Sequence, residues 1–173
     1  IDFESLARVL IKTLLSSDSS QGGGSTITQQ LAKTLYPRED VGSPFKMVWI
    51  KLKEWITAVK LERNYTKDEI MTMYMNQVFF GSNAYGIKAA AQTFFGKNPI
   101  DLTVEEAATL VGMVNKPTRY NPAINPDKSL ARRNLVISRM EKNGFLTAHE
   151  RDSIQQIPIT LSYQIQDHNA GLG

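Results

Sequence analysis

The sequence predicts an all-α fold, and three observations indicate it. Apolar residues recur every three or four positions through most of the 173 residues, which is the spacing of one helix face. The pattern Thr-x-x-Glu, which forms a capping box at a helix start, precedes apolar runs at residues 66–69, 103–106 and 147–150. Only residues 157–165 read as briefly extended. We therefore expect one helical domain without an internal repeat.

The first predicted helix is capped by Asp2 and is followed by a break at residues 16–24. The stretch at residues 21–33 reads QGGGSTITQQLAK. Its glycines fit either a phosphate-binding loop or a plain hinge. A glycine run without the Lys-Ser/Thr ending of a P-loop is weak evidence of nucleotide binding, so the neighbouring residues have to decide between the two.

Ser25 is predicted to cap the second helix, which should stop near Pro37. Three aliphatic side chains at intervals of four predict its packed face: Ile27, Leu31 and Leu35. At about 100° per residue, a polar stripe lies on the opposite side, formed by Thr26, Gln30 and Lys33. With the helix N-terminus, such a face suits a phosphate. A surface helix with solvated polar residues explains the same pattern.

The later helices are predicted from their apolar spacing and their start and stop signals. A long helix should run from about Phe45 to Asn64, and a small-residue helix from Ala84 to Phe95 should end at Gly96. Another helix should begin with Pro126 in its first turn and end at residues 143–144 (Asn-Gly).

The composition excludes several classes of protein. Hydrophobic residues make up 42% and charged residues 21%, which is typical of a globular domain. The net charge of +3 is too small to indicate a nucleic-acid partner, so we expect none. Without cysteine there is no disulfide framework and no thiolate metal site.

Lys51 and Glu54 lie three residues apart in the long predicted helix, on a flank shared with Ala58 and Leu61. By itself this position favours a solvated helical ion pair, worth a few tenths of a kcal/mol. A pair that lies beside packed surface is the other interpretation.

Taken together, the motifs resemble the peptidoglycan glycosyltransferase domain of class A penicillin-binding proteins. The resemblance covers nearly the whole chain, and the motifs match in order and spacing. They are residues 23–33 (GGSTITQQLAK), 50–54 (IKLKE), 67–76 (KDEIMTMYMN) with 78–81 (VFFG), 85–91 (YGIKAAA) with 94–97 (FFGK), and 110–117 (LVGMVNKP) with 120–122 (YNP).

The resemblance implies a lysozyme-like helical glycosyltransferase domain on the outer face of the bacterial cytoplasmic membrane. Such domains polymerise lipid II into glycan strands: the 4-hydroxyl of the acceptor attacks the anomeric carbon of the growing chain with inversion, and undecaprenyl pyrophosphate leaves. The implied partners are lipid II, the growing strand and the membrane surface. No protein metal site is implied, although a divalent cation such as Mg²⁺ at the pyrophosphate stays open.

The resemblance also assigns site residues. Glu54 matches the family's second essential glutamate, which orients or stabilises the donor side. The predicted substrate-binding residues are Ser25, Thr26, Gln29, Gln30, Lys33 and Lys51.

Two departures from the family pattern affect these expectations. The first family motif, Glu-Asp-x-x-Phe-x-x-His-x-Gly, contains the principal base and would immediately precede Ile1. We expect it to lie upstream of this chain, which would then be inactive or nearly so in isolation. Ile50 replaces the usual arginine of the third motif, and Lys46 or Arg38 are the candidates to supply the missing charge.

The domain is expected to span residues 1–165, and residues 166–173 to begin a linker toward a transpeptidase domain in a bifunctional parent anchored by a transmembrane helix. For the apolar run at residues 45–50, core packing of Val48 and Trp49 is the favoured interpretation, and contact with the membrane is the other.

Two rival functions are a lysozyme-like enzyme that cleaves peptidoglycan and a non-catalytic module that binds lipid II or a partner. The peptidoglycan-cleaving enzyme needs no pyrophosphate site.

Overall fold

The computed structural model describes residues 26–35 and 44–164. These parts are helical, and the all-α prediction is confirmed. The seven α-helices among them are α1 (Ile27–Thr34), α2 (Pro44–Asn64), α3 (Lys67–Gln77), α4 (Gly86–Phe95), α5 (Val104–Val114), α6 (Pro126–Lys142) and α7 (Ala148–Gln156), with a 3₁₀ turn at Pro99–Asp101. The helix predicted after Asp2 and the glycine run lie outside the described residues.

The three predicted capping boxes are present, because each depends only on residues close together in sequence. In each box the Glu carboxylate accepts the backbone N–H of the Thr three residues before it: Glu69 from Thr66, Glu106 from Thr103 and Glu150 from Thr147. The backbone and hydroxyl hydrogen bonds from Thr147 hold the pKa of Glu150 below its usual value.

The cap of α1 is Thr26, and the prediction that Ser25 caps this helix is wrong. Thr26 has an extended backbone (φ −66°, ψ 163°), and its hydroxyl accepts the N–H of Gln29 at 3.2 Å. The side-chain carbonyl of Gln29 accepts the N–H of Thr26 in return, also at 3.2 Å. This reciprocal pair is a capping box that uses glutamine, and it shifts the helix start by one residue.

The chain divides into two compact units, Ile1–Ile70 and Met71–Gly173. In the first, α1 packs against α2. The buried side chains of α1 are Thr28, Leu31 and Ala32, whereas Ile27 is 39% and Leu35 is 45% exposed. The predicted face of Ile27, Leu31 and Leu35 is therefore wrong for two of its three members.

The core of the second unit is built from α4, α5 and the loop before α4. Its buried side chains are Phe80, Ala84, Ala90, Ala91, Phe94, Phe95, Leu110 and Met113. The loop is closed by two hydrogen bonds, from Phe80 N–H to the Ala84 carbonyl and from Gly86 N–H to the Val78 carbonyl, each 2.9 Å. Because of this loop α4 begins at Gly86, two residues later than predicted. Gly96 ends it with φ 64°, as expected.

The segment after α7 is not a strand. Within its described part, Ser162 N–H donates to the Phe94 carbonyl at 2.9 Å and Gln164 N–H donates to the Thr93 carbonyl at 2.8 Å. The fully buried Arg133 of α6 donates to the carbonyls of Ile157 and Gln155, at 2.6 and 3.1 Å. The stretch predicted to be extended thus donates hydrogen bonds to carbonyl groups in the last turn of α4, and it does not join a sheet.

Candidate active site and family

Glu54 is a buried carboxylate with a cationic partner on the same helix. It is 5% exposed, and its Oε2 accepts a hydrogen bond from Lys51 Nζ at 2.5 Å. The side chain of Lys51 is 31% exposed, so it contacts Glu54 and is also partly open to solvent. The pair lies beside packed surface, since Ala58, four residues after Glu54, is 3% exposed. The solvated pair that the spacing alone favoured is therefore wrong.

This arrangement has a chemical consequence. A buried carboxylate is stable in its charged form only beside a cationic partner. Here that partner is the ammonium of Lys51 on the same helix, and the hydrogen bond to Glu54 holds it in place. An ammonium that is anchored on one side and open on the other can bind a phosphate oxygen without first being ordered.

The polar stripe of α1 lies opposite its packed face, as predicted. Thr26, Gln30 and Lys33 are all exposed, while the buried face consists of Thr28, Leu31 and Ala32. Because α1 packs on α2 within the first unit, the structure brings the helix with the predicted phosphate contacts against the helix that carries Lys51 and Glu54. Ser25 lies outside the described residues.

Gln29 has a structural task that sequence reasoning missed. Its side-chain oxygen is engaged by the Thr26 backbone, which leaves its NH₂ group as the part able to meet a ligand. The pattern Thr-x-x-Gln at residues 26–29 is a capping-box signature, and it could have been read from the sequence.

Lys46 and Arg38 are the two candidates to supply the positive charge of the arginine that Ile50 replaces. Lys46 lies on α2 one turn before Ile50, and its side chain is exposed. Arg38 lies outside the described residues.

The described residues do not form a metal site by themselves. In residues 26–35 and 44–164 no three His, Asp or Glu side chains cluster closely enough to hold an ion. Glu54 already accepts the Lys51 ammonium.

A stripe of exposed apolar side chains runs along the face of α2 opposite Glu54 and Ala58. We call it the α2 apolar stripe; Val48 is 39%, Trp49 57%, Trp55 44% and Ile56 45% exposed. At 100° per residue these four fall within about 120° of one another. The predicted core packing of Val48 and Trp49 is wrong, because Glu54 and Ala58 occupy the buried face. Among the described residues no helix is both long and apolar enough to cross a bilayer.

Comparison with known proteins places these features in a family. The chain is 41% identical over 150 residues to penicillin-binding protein 1A of Aquifex aeolicus, covering 84% of this chain and 20% of that protein. It is 40% identical over 166 residues to penicillin-binding protein 1A of Pseudomonas aeruginosa, covering 96% and 20%. To penicillin-binding protein 1A/1B of Bacillus subtilis it is 46% identical over 138 residues, covering 79% and 15%. The chain thus spans about a fifth or less of these curated relatives.

A solved structure shows a similar fold. The 2.6 Å crystal structure of penicillin-binding protein 1A from Haemophilus influenzae matches with a TM-score of 0.51 and 29% identity, over 86% of this chain and 18% of that one. The resemblance to class A penicillin-binding proteins is thereby confirmed. A family model described as transglycosylase matches residues 1–141, and the chain belongs to the transglycosylase family.

Proposed function

We propose that this chain belongs to a peptidoglycan glycosyltransferase domain that polymerises lipid II into glycan strands with release of undecaprenyl pyrophosphate, and that the chain in isolation is inactive or nearly so without the motif that contains the principal base. The observation that carries the proposal is the buried Glu54 carboxylate paired with the partly exposed Lys51 ammonium, on a helix packed against α1. Transglycosylase is also the description of the matching family.

In the proposed reaction, the acceptor 4-hydroxyl attacks the anomeric carbon of the growing chain from the face opposite the pyrophosphate, and the configuration inverts. The bond from carbon to the phosphate oxygen breaks, and the leaving group gains negative charge. Lys51 meets this charge, and Glu54 aims the ammonium by accepting its hydrogen bond. The hydroxyl proton goes to a carboxylate base, the role that the family resemblance gives to its first motif.

The exposed face of α1 is proposed to bind the donor's phosphates and sugars. Lys33 supplies charge, and Thr26 and Gln30 supply hydroxyl and amide groups on the same stripe. Ser25 and the amide NH₂ of Gln29 complete the proposed set. In this proposal a divalent cation would be bound by oxygen atoms of the substrate's own pyrophosphate. Activity measured with and without EDTA tests whether the reaction needs such a cation.

The proposal is tested by following the products of the complete natural protein. With lipid II in detergent micelles we expect glycan polymers and free undecaprenyl pyrophosphate. With isolated cell-wall sacculi we expect no soluble muropeptides. Release of muropeptides would favour the peptidoglycan-cleaving alternative. Tight lipid II binding without any product would favour a non-catalytic binding module.

The phosphate role of Lys33 predicts a salt-dependent defect. Lys33→Ala should weaken donor binding more at low than at high ionic strength, because an exposed charge is screened beyond about 10 Å at 0.1 M salt. Inhibition of polymerisation by a donor-site pyrophosphate analogue measures the binding at both salt concentrations. Lys60→Ala, which removes an exposed lysine of α2, is the control. Equal loss at every salt concentration would contradict a charge role.

We further propose that the protein works at the outer face of the cytoplasmic membrane, with the α2 apolar stripe touching the lipid surface. Large apolar side chains exposed together mark interaction surfaces. Two of the four are tryptophans, which favour the membrane interface. Lys53, whose Nζ lies 5.7 Å from the centroid of the Trp49 ring, adds a positive charge suited to anionic headgroups.

Membrane contact predicts a lipid signal at the stripe. These 173 residues contain no cysteine. With any cysteine elsewhere in the complete protein replaced by serine, Val48→Cys can carry an environment-sensitive fluorophore in phosphatidylglycerol-containing vesicles. We expect a blue-shifted emission that brominated lipids quench. The same label at Leu135→Cys, an exposed apolar position on α6, should show neither effect. Unquenched emission at residue 48 would contradict the contact.

The larger protein is proposed to be bifunctional. The curated relatives are named penicillin-binding proteins, and the predicted linker at residues 166–173 would lead to a transpeptidase domain. Labelling of the complete protein with fluorescent penicillin tests this. Limited proteolysis near residue 165 tests the predicted domain boundary.

A further inference from the structure

We propose that the segment after α7, residues 157–164, is a regulatory strap for the α3–α4 loop, residues 78–85. The strap fixes this loop through the hydroxyl of Tyr163, so that the chain following residue 164 controls the loop. All of these residues belong to the second unit. The effect on activity rests on the proposed glycosyltransferase function, whereas the effect on the loop conformation does not.

The α3–α4 loop contains a strained turn. Ser82 has φ 49° and Asn83 has φ 61°, so two consecutive residues with side chains adopt the left-handed conformation that such residues rarely adopt. Strained backbone conformations persist only where neighbouring contacts fix them. The conformation of this turn therefore depends on the side chains that hold it.

Two side chains from distant parts of the chain hold the Ser82 hydroxyl. Nδ2 of Asn121 donates to the Ser82 Oγ at 2.9 Å, and the Tyr163 hydroxyl donates to the same oxygen at 2.8 Å. Asn121 is 1% exposed, and its Oδ1 accepts the Ala123 N–H at 2.9 Å. Tyr163 is 37% exposed. The Tyr163 contact is therefore the one that can open without disturbing buried side chains.

Tyr163 is positioned by the residues on either side of it. The N–H groups of Ser162 and Gln164 donate to the carbonyls of Phe94 and Thr93, at 2.9 and 2.8 Å. The centroid of the Tyr163 ring lies 5.6 Å from that of the Phe94 ring. The strap thus connects the last turn of α4 to the loop that precedes the same helix.

The two ends of the strap differ in how they are held. At its start the fully buried Arg133 donates to the Ile157 carbonyl at 2.6 Å, and farther along Leu161 packs against the core. Residues 163–164, at the other end, are exposed. A movement of the predicted linker at residues 166–173 would therefore act first on this exposed end, which carries the contact with Ser82.

The test is hydrogen exchange of the complete protein at the amides of Phe80, Ala84 and Gly86, whose hydrogen bonds close the loop. Tyr163→Phe keeps the aromatic ring and removes the hydroxyl, so these amides should exchange about fivefold faster, the scale of one net hydrogen bond. Amides of α5 report global unfolding and should keep their rates. Tyr65→Phe, at an exposed tyrosine of the first unit, is the control. Wild-type exchange in Tyr163→Phe would overturn the proposal.

Changes at Ser82 separate the hydrogen bonds from the backbone strain. Ser82→Ala and Ser82→Gly both remove the hydroxyl, but glycine adopts a positive φ freely, so the loop amides should exchange faster in Ser82→Ala. Adding Tyr163→Phe to Ser82→Ala should have no further effect, because the acceptor is already gone. Additive effects of these two changes would show that Tyr163 does not act through Ser82.

A change at the end of the strap tests whether the signal reaches the loop. Gln164→Pro removes the N–H that donates to the Thr93 carbonyl and leaves Tyr163 and Ser82 in the sequence. The loop amides should again exchange about fivefold faster. Gln164→Ala keeps the N–H and is the matched control, with wild-type exchange. Unchanged exchange in Gln164→Pro would refute transmission from the strap to the loop.

Polymerisation of lipid II tests the regulatory part. Residues 78–81 form one of the family motifs (VFFG), so kcat/KM should fall about fivefold in Tyr163→Phe and Gln164→Pro, in proportion to the faster loop opening, and stay unchanged in Gln164→Ala. Faster exchange with unchanged kcat/KM would overturn the control of activity. A wild-type protein without polymerisation would contradict the proposed function instead, and the exchange rates would still decide whether the strap holds the loop.

Discussion

Glu54→Gln is expected to lower kcat/KM for glycan polymerisation by at least about 100-fold, the scale on which a group that organises charge at a reacting centre acts. Glutamine has nearly the same shape and stays buried, but it carries no charge to hold the Lys51 ammonium. The measurement is polymerisation of labelled lipid II by the complete protein, together with its thermal unfolding. Glu62→Gln, at an exposed position of the same helix, is the control and should retain activity.

Changing Lys51 tests the catalytic role of the Lys51–Glu54 pair independently. Lys51→Ala should abolish polymerisation and also lower the unfolding temperature, because it leaves the 5% exposed Glu54 carboxylate without its cation. Adding Glu54→Gln to Lys51→Ala should restore stability, since the unpaired charge is gone, yet leave activity low. Wild-type polymerisation in either single variant would refute a catalytic role for the pair. Recovery of activity along with stability would show that the pair is only structural.

Gly86→Ala is expected to destabilise the second unit by more than about 3 kcal/mol, in the range reserved for severe backbone conflicts. Gly86 has φ +82°, and a Cβ atom there would lie 2.5 Å from the Asn76 carbonyl oxygen. That oxygen belongs to the backbone of α3 and cannot rotate away. Faster amide hydrogen exchange across residues 86–95 and a lower unfolding temperature in the complete protein measure the effect.

Gly144 provides a control for Gly86 with matched backbone geometry. Its φ is +80°, but a Cβ atom there would meet nothing within 4 Å. Gly144→Ala should therefore cost only the left-handed backbone penalty of about 1 to 2 kcal/mol. A similar loss in both variants would mean that the Asn76 contact is unimportant and that backbone angle alone requires glycine at residue 86.

Helix starts and stops were largely predictable because they depend on residues a few positions apart. The Thr-x-x-Glu boxes, Pro126 in the first turn of α6 and Gly96 after α4 all lie where they were expected. The cap of α1 and the start of α4 were exceptions. Ser25 and Thr26 are both favoured caps by type, and the choice depends on Gln29, whose amide completes a box only with Thr26.

The candidate site was predictable in part. The spacing of Lys51 and Glu54 indicated an ion pair, and the stripe of Thr26, Gln30 and Lys33 is exposed as expected. Spacing alone does not distinguish a solvated pair from a buried one, because burial is set by what packs over the helix.

Local sequence thus specified the helices, their caps and the family motifs of this chain, because backbone hydrogen bonds and short-range side-chain contacts act within a few residues. Which face of each helix is buried required the packed molecule. On α1 the buried face includes Thr28 and Ala32 in place of Ile27 and Leu35, and on α2 the same selection buries a glutamate and exposes two tryptophans. The physical reason is that a helix with apolar residues on more than one side has several possible packing faces, and the neighbouring helix selects among them.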